Sequence, residues 1–328
     1  MRRREFIGGL AGAVAWPLAP KAQPRLPTIG LLSSVPFETR RDQLTGFHAG
    51  LKQLGFLEQQ NVAVEYRSAE NRLEQLPTLA AELVEHEVSV IVTIGGDIAI
   101  IAAKAATATI PIVFVTGNDP VKNRYVASLN RPGGNLTGIS FLVNLTVSKR
   151  LELLCEVVPS ARKIAMLANA NNPNTPASIK TALSTAGMLG RGVLPISVAT
   201  ESQIAEAFHT LDQDNQDKAE ALVVEADPFL LARREQIVSL ANYQRLPTMY
   251  SFREFAAIGG LMSYGASLAS AYREAGIYAA RILHGERPGE LPVLQSSKLD
   301  FVINVAAAKS IGLGLTPAVL ARADEVIE

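Results

Sequence analysis

Apolar and polar positions along this chain follow two rhythms, and their succession predicts its elements. Short runs rich in Val, Ile and Leu recur at Thr28–Leu32, Val62–Tyr66, Val90–Ile94, Ile112–Val115 and Leu136–Ser140. Helical periodicity fills the spaces between the first four, at Arg41–Leu54, Thr78–His86 and Asp97–Ala105. Strands alternating with helices of this length predict βαβ units and a parallel sheet. The pattern then restarts. A helix at Thr146–Val157 precedes strands at Lys163–Ala168, Gly192–Ser197, Ala221–Glu225 and Leu261–Ser263, separated by helices at Pro176–Gly187, Ser202–Leu211 and Leu230–Tyr243. A single parallel sheet of about ten strands would be unusually wide. The expectation is therefore α/β, with two Rossmann-like doubly wound lobes. The longest helical signal, Ser267–Leu283, fits either lobe by its pattern, but in two connected lobes a late segment often returns to the first. That gives a first lobe of 27–140 plus about 267–295 and a second of 141–266 plus about 296–328.

The first residues obey a different rule. Arg2-Arg3-Arg4 precede an apolar, small-residue stretch from Phe6 to Trp16, and a polar exit ends at Ala22-Gln23. A positive start, a short apolar core and a small-residue exit read as an export signal over residues 1–22. The apolar core is too short for a bilayer-spanning helix, which needs roughly 20 residues. Arg3-Arg4-Glu5-Phe6-Ile7 is similar to a twin-arginine signal. The expected location is the periplasm.

Ligands of open parallel sheets bind beyond the carboxyl ends of the strands. Those positions hold Ser33-Ser34, Gly95-Gly96-Asp97 and Thr116-Gly117-Asn118-Asp119 in the first half. In the second they hold Asn169 to Asn172, Glu225-Ala226-Asp227, and Tyr250 and Tyr264. Ser33, Ser34, Gly95, Gly96, Asp97, Thr116, Asp119, Asn169, Asn172, Asp227, Tyr250 and Tyr264 are the candidate ligand-binding set. Plainer roles stand beside each. Asp119-Pro120 and Asp227-Pro228 suit helix starts, with Asp as N-cap and Pro at N1. Gly95-Gly96 suits either a turn or a cradle of backbone N–H groups. The asparagines suit turns, and the tyrosines suit a lobe interface as well as a ligand stack. Asp97, Asp119, Glu225 and Asp227 share these loops with no arginine or lysine, so the cleft is expected to favour an amine or a neutral polyhydroxyl ligand over a dicarboxylate.

Composition narrows the function classes. Of 328 residues, 48% are hydrophobic and 19% charged, and 31 basic residues balance 31 acidic ones. Disorder is excluded, and no basic excess is present for nucleic acid. One cysteine, Cys155, rules out an internal disulfide and any cysteine-based zinc site, and four scattered histidines give no metal-ligand spacing. Nucleophile-elbow, phosphate-loop and dinucleotide fingerprints are absent. No catalytic residue, cofactor or metal is expected.

Several segments resemble a known family. They are Pro111-Ile112-Val113-Phe114 with Asp119-Pro120-Val121, the run from Ala127 to Gly138 (ASLNRPGGNLTG), Arg253-Glu254-Phe255 with Gly259 to Gly265, and the terminal Leu320 to Glu328. Together they are similar to the ABC-transporter substrate-binding proteins of the type I periplasmic-binding fold, whose better-known members bind aromatic amino acids. The resemblance runs from about Pro27 to the C-terminus. It implies two lobes on a hinge with three crossings, a small-molecule ligand (an amino acid or another polar solute), and a permease partner in the inner membrane. A monomer is expected. One departure is Asp97, where relatives usually carry Thr, Ser or Pro. The alternatives from other classes are a secreted α/β enzyme using Asp119 or Asp227, and a ligand-sensing domain of a signalling system.

Overall fold

The structure is a computed structural model and describes residues 26–141, 146–212, 218–296 and 299–328. The expected export signal, residues 1–22, lies outside them.

The first lobe is built on strands β1 (Thr28–Ser33), β2 (Ala63–Ser68), β3 (Val90–Ile94), β4 (Ile112–Thr116) and β5 (Leu136–Ser140), crossed by helices α1 (Arg41–Gln53), α2 (Leu76–Glu85) and α3 (Asp97–Ala106). The second lobe follows with α4 (Thr146–Val157), β6 (Lys163–Asn169), α5 (Thr175–Met188), β7 (Gly192–Val198), α6 (Glu201–Asp212), β8 (Ala221–Val224), α7 (Pro228–Ala232), α8 (Arg234–Tyr243), β9 (Thr248–Tyr250), α9 (Arg253–Ala257) and β10 (Met262–Ala266). Then α10 (Leu268–Leu283) and β11 (Leu294–Gln295) rejoin the first lobe, while β12 (Leu299–Asn304), α11 (Val305–Ser310), α12 (Pro317–Leu320) and β13 (Glu325–Ile327) complete the second.

The first sheet runs β11-β5-β4-β3-β1-β2 and the second β13-β12-β10-β9-β8-β6-β7. Numbered within each lobe, the five principal strands have the order 2-1-3-4-5 in both. That is a doubly wound order, and its switch point lies between the first and third strands. The inner strands are buried on both faces, as the fully buried runs of β3, β4 and β8 require. One pairing departs from the parallel expectation, because β12 runs antiparallel to β10. The predicted helix Leu230–Tyr243 is in fact two, broken at Arg233.

Helix α10 packs along α1, and small residues bring their backbones together. A Cβ on Gly50 would lie 2.0 Å from the Arg273 carbonyl oxygen, and one on Gly276 would lie 2.1 Å from that of Phe47. This contact fixes α10 to the first lobe although its sequence follows the second. Among the described residues no helix is long and apolar enough to cross a membrane.

Candidate ligand cleft

The two switch points face each other across one cleft of about 140 Å³. From the first lobe, the segment after β1 supplies Ser34, Val35 and Arg40, the turn after β3 supplies Gly95, Gly96 and Asp97, and α10 supplies Leu268 and Tyr272. From the second, the loop after β6 supplies Asn169 to Asn174, and the turn after β8 supplies Glu225 to Phe229. Phe141, which ends the first stretch of the first lobe, and Phe252 lie on the wall and meet edge to face with ring centres 6.4 Å apart.

The lobes touch over this cleft. Arg40 Nη2 donates to the Pro228 carbonyl at 2.6 Å, and Arg234 Nη1 donates to the Thr39 carbonyl at 3.2 Å. Gly96 faces the Pro228 ring so closely that a Cβ would lie 3.0 Å from its Cγ. Gly96 also has φ +89°, and Gly95 has φ +91° with no room for a Cβ beside Ser34 Oγ. Both conditions are met only by glycine.

Each lobe buries a carboxylate that organises asparagines. Asp97 opens α3 and accepts from Thr116 Oγ1 at 2.6 Å, Asn118 Nδ2 at 2.9 Å and Asn123 Nδ2 at 2.9 Å. Asp227 caps α7, accepting from the Leu230 amide at 3.0 Å, and its other oxygen accepts from Asn169 Nδ2 and Asn172 Nδ2 at 3.1 and 2.9 Å. Burial pushes the Asp227 carboxyl above its ordinary range against those donors. Glu225 is pushed up to about 7, chiefly by burial, with Thr175 pulling it down and Asp227 adding to the rise. Burial holds the Arg40 guanidinium below its ordinary value, while Tyr272, Glu254 and Asp227 work against that. Tyr272 is pushed up to about 12 by the same burial.

Seven of the twelve sequence-predicted site residues line this cleft: Ser34, Gly95, Gly96, Asp97, Asn169, Asn172 and Asp227. The other five do not. Ser33 is fully buried and donates to the Val35 carbonyl at 2.6 Å. Thr116 is spent on Asp97. Asp119 is exposed and accepts from the Val121 and Lys122 amides, the plain capping role. Tyr250 is fully buried and stacks on Phe255 at 4.7 Å, and Tyr264 packs on the second-lobe core. The two tyrosines share a physical reason. Tyr250 ends β9 and Tyr264 lies within β10, and both side chains pack on the core instead of the cleft. The cleft's charge also needs correcting. The sequence reading put no cation on the cleft, but Arg40, on the segment between β1 and α1, is 3% exposed on the cleft wall.

Among the described residues, no cluster of three His, Cys, Asp or Glu side chains is arranged to hold a metal. The cleft offers hydrogen-bonding groups of both kinds, one cation and an apolar lining.

The comparisons agree with this architecture. The family profile described as ABC transporter substrate binding protein matches residues 28–327. A curated relative, the tyrosine-binding protein of Clostridioides difficile (strain R20291), is 26% identical over 285 residues, covering 87% of this chain and 81% of that one. A conserved domain protein of Vibrio cholerae is 26% identical with a TM-score of 0.83, covering 92% of this chain and all (100%) of that structure. The ABC domain of Streptococcus pneumoniae, solved in complex with L-Trp, has the same fold, with a TM-score of 0.82 at 24% identity over 92% of this chain and 100% of its own. This chain belongs to the ABC transporter substrate binding protein family.

Proposed function

We propose that this protein is an exported, monomeric solute receptor that closes its two lobes over one small molecule and presents the closed form to an inner-membrane permease. One observation carries the reading: a single cleft is walled by both switch points and bridged from lobe to lobe by Arg40 and Pro228. A ligand touching both walls favours the closed state by its differential contacts. The enzyme alternative has less support, because Asp119 caps a turn in solvent and Asp227 is committed to Leu230, Asn169 and Asn172. The relatives whose names mention tyrosine and L-Trp support an amino acid as the first class to test.

Native mass spectrometry of the purified protein is expected to find a co-purified small molecule at one per chain. Small-angle scattering should then give a smaller radius of gyration with that molecule than after its removal. An unchanged radius with a confirmed ligand rejects closure as the signal.

The route out of the cytoplasm is a separate expectation. Arg3 and Arg4 stand directly before Glu5-Phe6-Ile7. Replacing both by lysine should leave the full-length precursor in the cytoplasm, read by fractionation and by the mass of the chain. Unchanged export of the double variant removes the twin-arginine route and leaves the receptor reading untouched.

A further inference from the structure

Two of the bonds that join the lobes run in opposite directions. Arg40, of the first lobe, donates Nη2 to the Pro228 carbonyl of the second at 2.6 Å. Arg234, of the second lobe, donates Nη1 to the Thr39 carbonyl of the first at 3.2 Å. Thr39 and Arg40 are neighbours, so one tight turn, Phe37–Arg40, carries the acceptor of one bond and the donor of the other. Both acceptors are backbone carbonyls, so the pair responds to how the two backbones lie and not to a side-chain rotamer. The arginines differ in one respect. Arg40 lines the cleft, where a ligand can touch it, whereas Arg234 and Thr39 do not.

Both halves of the Arg234 bond are prepared before they meet. The Pro36 carbonyl accepts from the Thr39 amide at 3.2 Å and from Thr39 Oγ1 at 2.7 Å, which fixes the turn that aims the Thr39 carbonyl. Arg234 Nη1 also donates to the Leu231 carbonyl of its own lobe at 3.2 Å. That second bond holds the guanidinium in place when the lobes part. A donor and an acceptor already in position lose little conformational freedom on meeting. Charge acts in both senses. Arg234 repels Arg40, while the Asp227 and Glu254 carboxyls of the second lobe attract it. Gly96, lacking a Cβ, lets the Pro228 ring come close enough for these contacts to form.

We infer that Arg40 and Arg234 form a two-way latch that draws the lobes together with the cleft empty, and that Arg234 sets the receptor's affinity without touching what it binds. This rests on the receptor reading and deepens it. A receptor must be closed to hold its ligand from both walls, so its apparent affinity scales with the closed fraction present beforehand. Loss of the Arg234 bond lowers that fraction and weakens every occupant by the same factor, whatever its chemistry. Arg234 is thus a positioning residue, and discrimination between ligands stays with the cleft wall.

Double electron–electron resonance tests this without any ligand, on protein unfolded in guanidinium, dialysed and refolded. Lys52→Cys on α1 and Glu206→Cys on α6 put one exposed spin label on each lobe, and Cys155→Ser removes the native thiol. This labelled parent should show a short-distance, closed population. Arg234→Met should lower the closed-to-open ratio at least about fivefold, a modest figure for a hydrogen bond from a charged donor. Arg40→Met should act by a similar factor. The double variant should approach the product, about 25-fold, because the two bonds end on separate carbonyls. Arg234→Lys, which keeps the charge but not the planar fork, should fall between parent and Arg234→Met. Should Arg234→Met fail to fold, Arg234→Lys and Arg40→Met carry the same test. A single long distance in the parent, or a ratio that the arginine variants leave unchanged, overturns the latch. Neither result touches the receptor reading, which is tested by a molecule found at one per chain. A single short distance that no variant lengthens would mean that the lobes do not part, and would sink closure as the signal together with the latch.

Discussion

Asp97→Ala will melt well below the wild-type protein, by roughly 6–12 °C, and will lose its ligand-induced shift as well. Thr116 Oγ1, Asn118 Nδ2 and Asn123 Nδ2 all end on this one carboxylate, and Asp97 and Thr116 are buried. Each buried donor left without an acceptor costs about 1–3 kcal/mol. Water entering from the cleft side relieves part of this, so about 3 kcal/mol in total is a fair expectation, at roughly 2–4 °C per kcal/mol. Binding suffers for a second reason. Without Asp97 nothing dictates which end of the Asn118 amide meets the ligand. Asp97→Asn keeps one acceptor oxygen and should lie between the two. Tyr125, whose pKa is raised by burial first and by the Asp97 carboxylate second, supplies a spectroscopic check. Its ionisation should move down in Asp97→Ala. Calorimetry showing a melting temperature within 2 °C of wild type would mean the network is not held by this residue.

Much of this architecture is legible in the sequence because strand cores and loop chemistry are local properties. The alternation of buried β runs with helices gives two doubly wound lobes, and the position after a strand places Gly95, Gly96, Asp97, Asn169 and Asp227 on the cleft. What is not local is strand order. Tyr250 ends β9 and Tyr264 lies inside β10, and only the assembled sheet shows that both pack on the core while Phe252, just after β9, reaches the cleft. Arg40 shows the same limit from the other side. In the sequence it stands in the charged run Arg40-Arg41-Asp42 ahead of an amphipathic helix, which reads as a solvated face. It is buried because Pro228 arrives from the other lobe, 188 residues away. Phe141 and Phe252 meet for a similar reason, at opposite ends of a long excursion through the second lobe. The short β9 and the antiparallel β12 carry too little pattern to be predicted at all. Asp119 and Asp227 look identical as Asp-Pro pairs, and the turn around each decides that one is exposed and the other buried.

Glu225 makes stability fall as pH rises, against the trend expected of a surface carboxylate. It is 3% exposed, and its pKa is pushed up to about 7, burial being the main cause. Burial keeps the proton against nearby donors. Thr175 Oγ1 lies 2.7 Å from both the Asn169 carbonyl and Glu225 Oε2. A threonine has one proton to give, so it cannot serve the carbonyl and Glu225 at once, and its pull on the acid is too weak to offset burial. The folded state therefore binds a proton between about pH 4.5 and 7 that the unfolded chain, with an ordinary carboxyl, has released. Stability is fully present below the unfolded value and is lost as pH climbs to the folded one, by about 3 kcal/mol in all. Arg150 does not titrate in this window. Although burial holds its guanidinium down to about 10, it stays charged, donating to the Val224 carbonyl and Thr146 Oγ1. Asp227 shifts in the same direction as Glu225, so the wild-type slope is shared, and a substitution isolates the part due to Glu225. Glu225→Gln is neutral like the protonated acid, and its oxygen in the Oε2 position still accepts from the Asn169 amide and from Thr175 Oγ1. Urea unfolding at pH 5 should find the variant and wild type nearly equal. At pH 8 the variant should be more stable by about 2–3 kcal/mol, because only the wild type then carries a buried charge at position 225. Curves that run parallel from pH 5 to 8 would mean that Glu225 ionises in the folded protein as readily as in the unfolded chain.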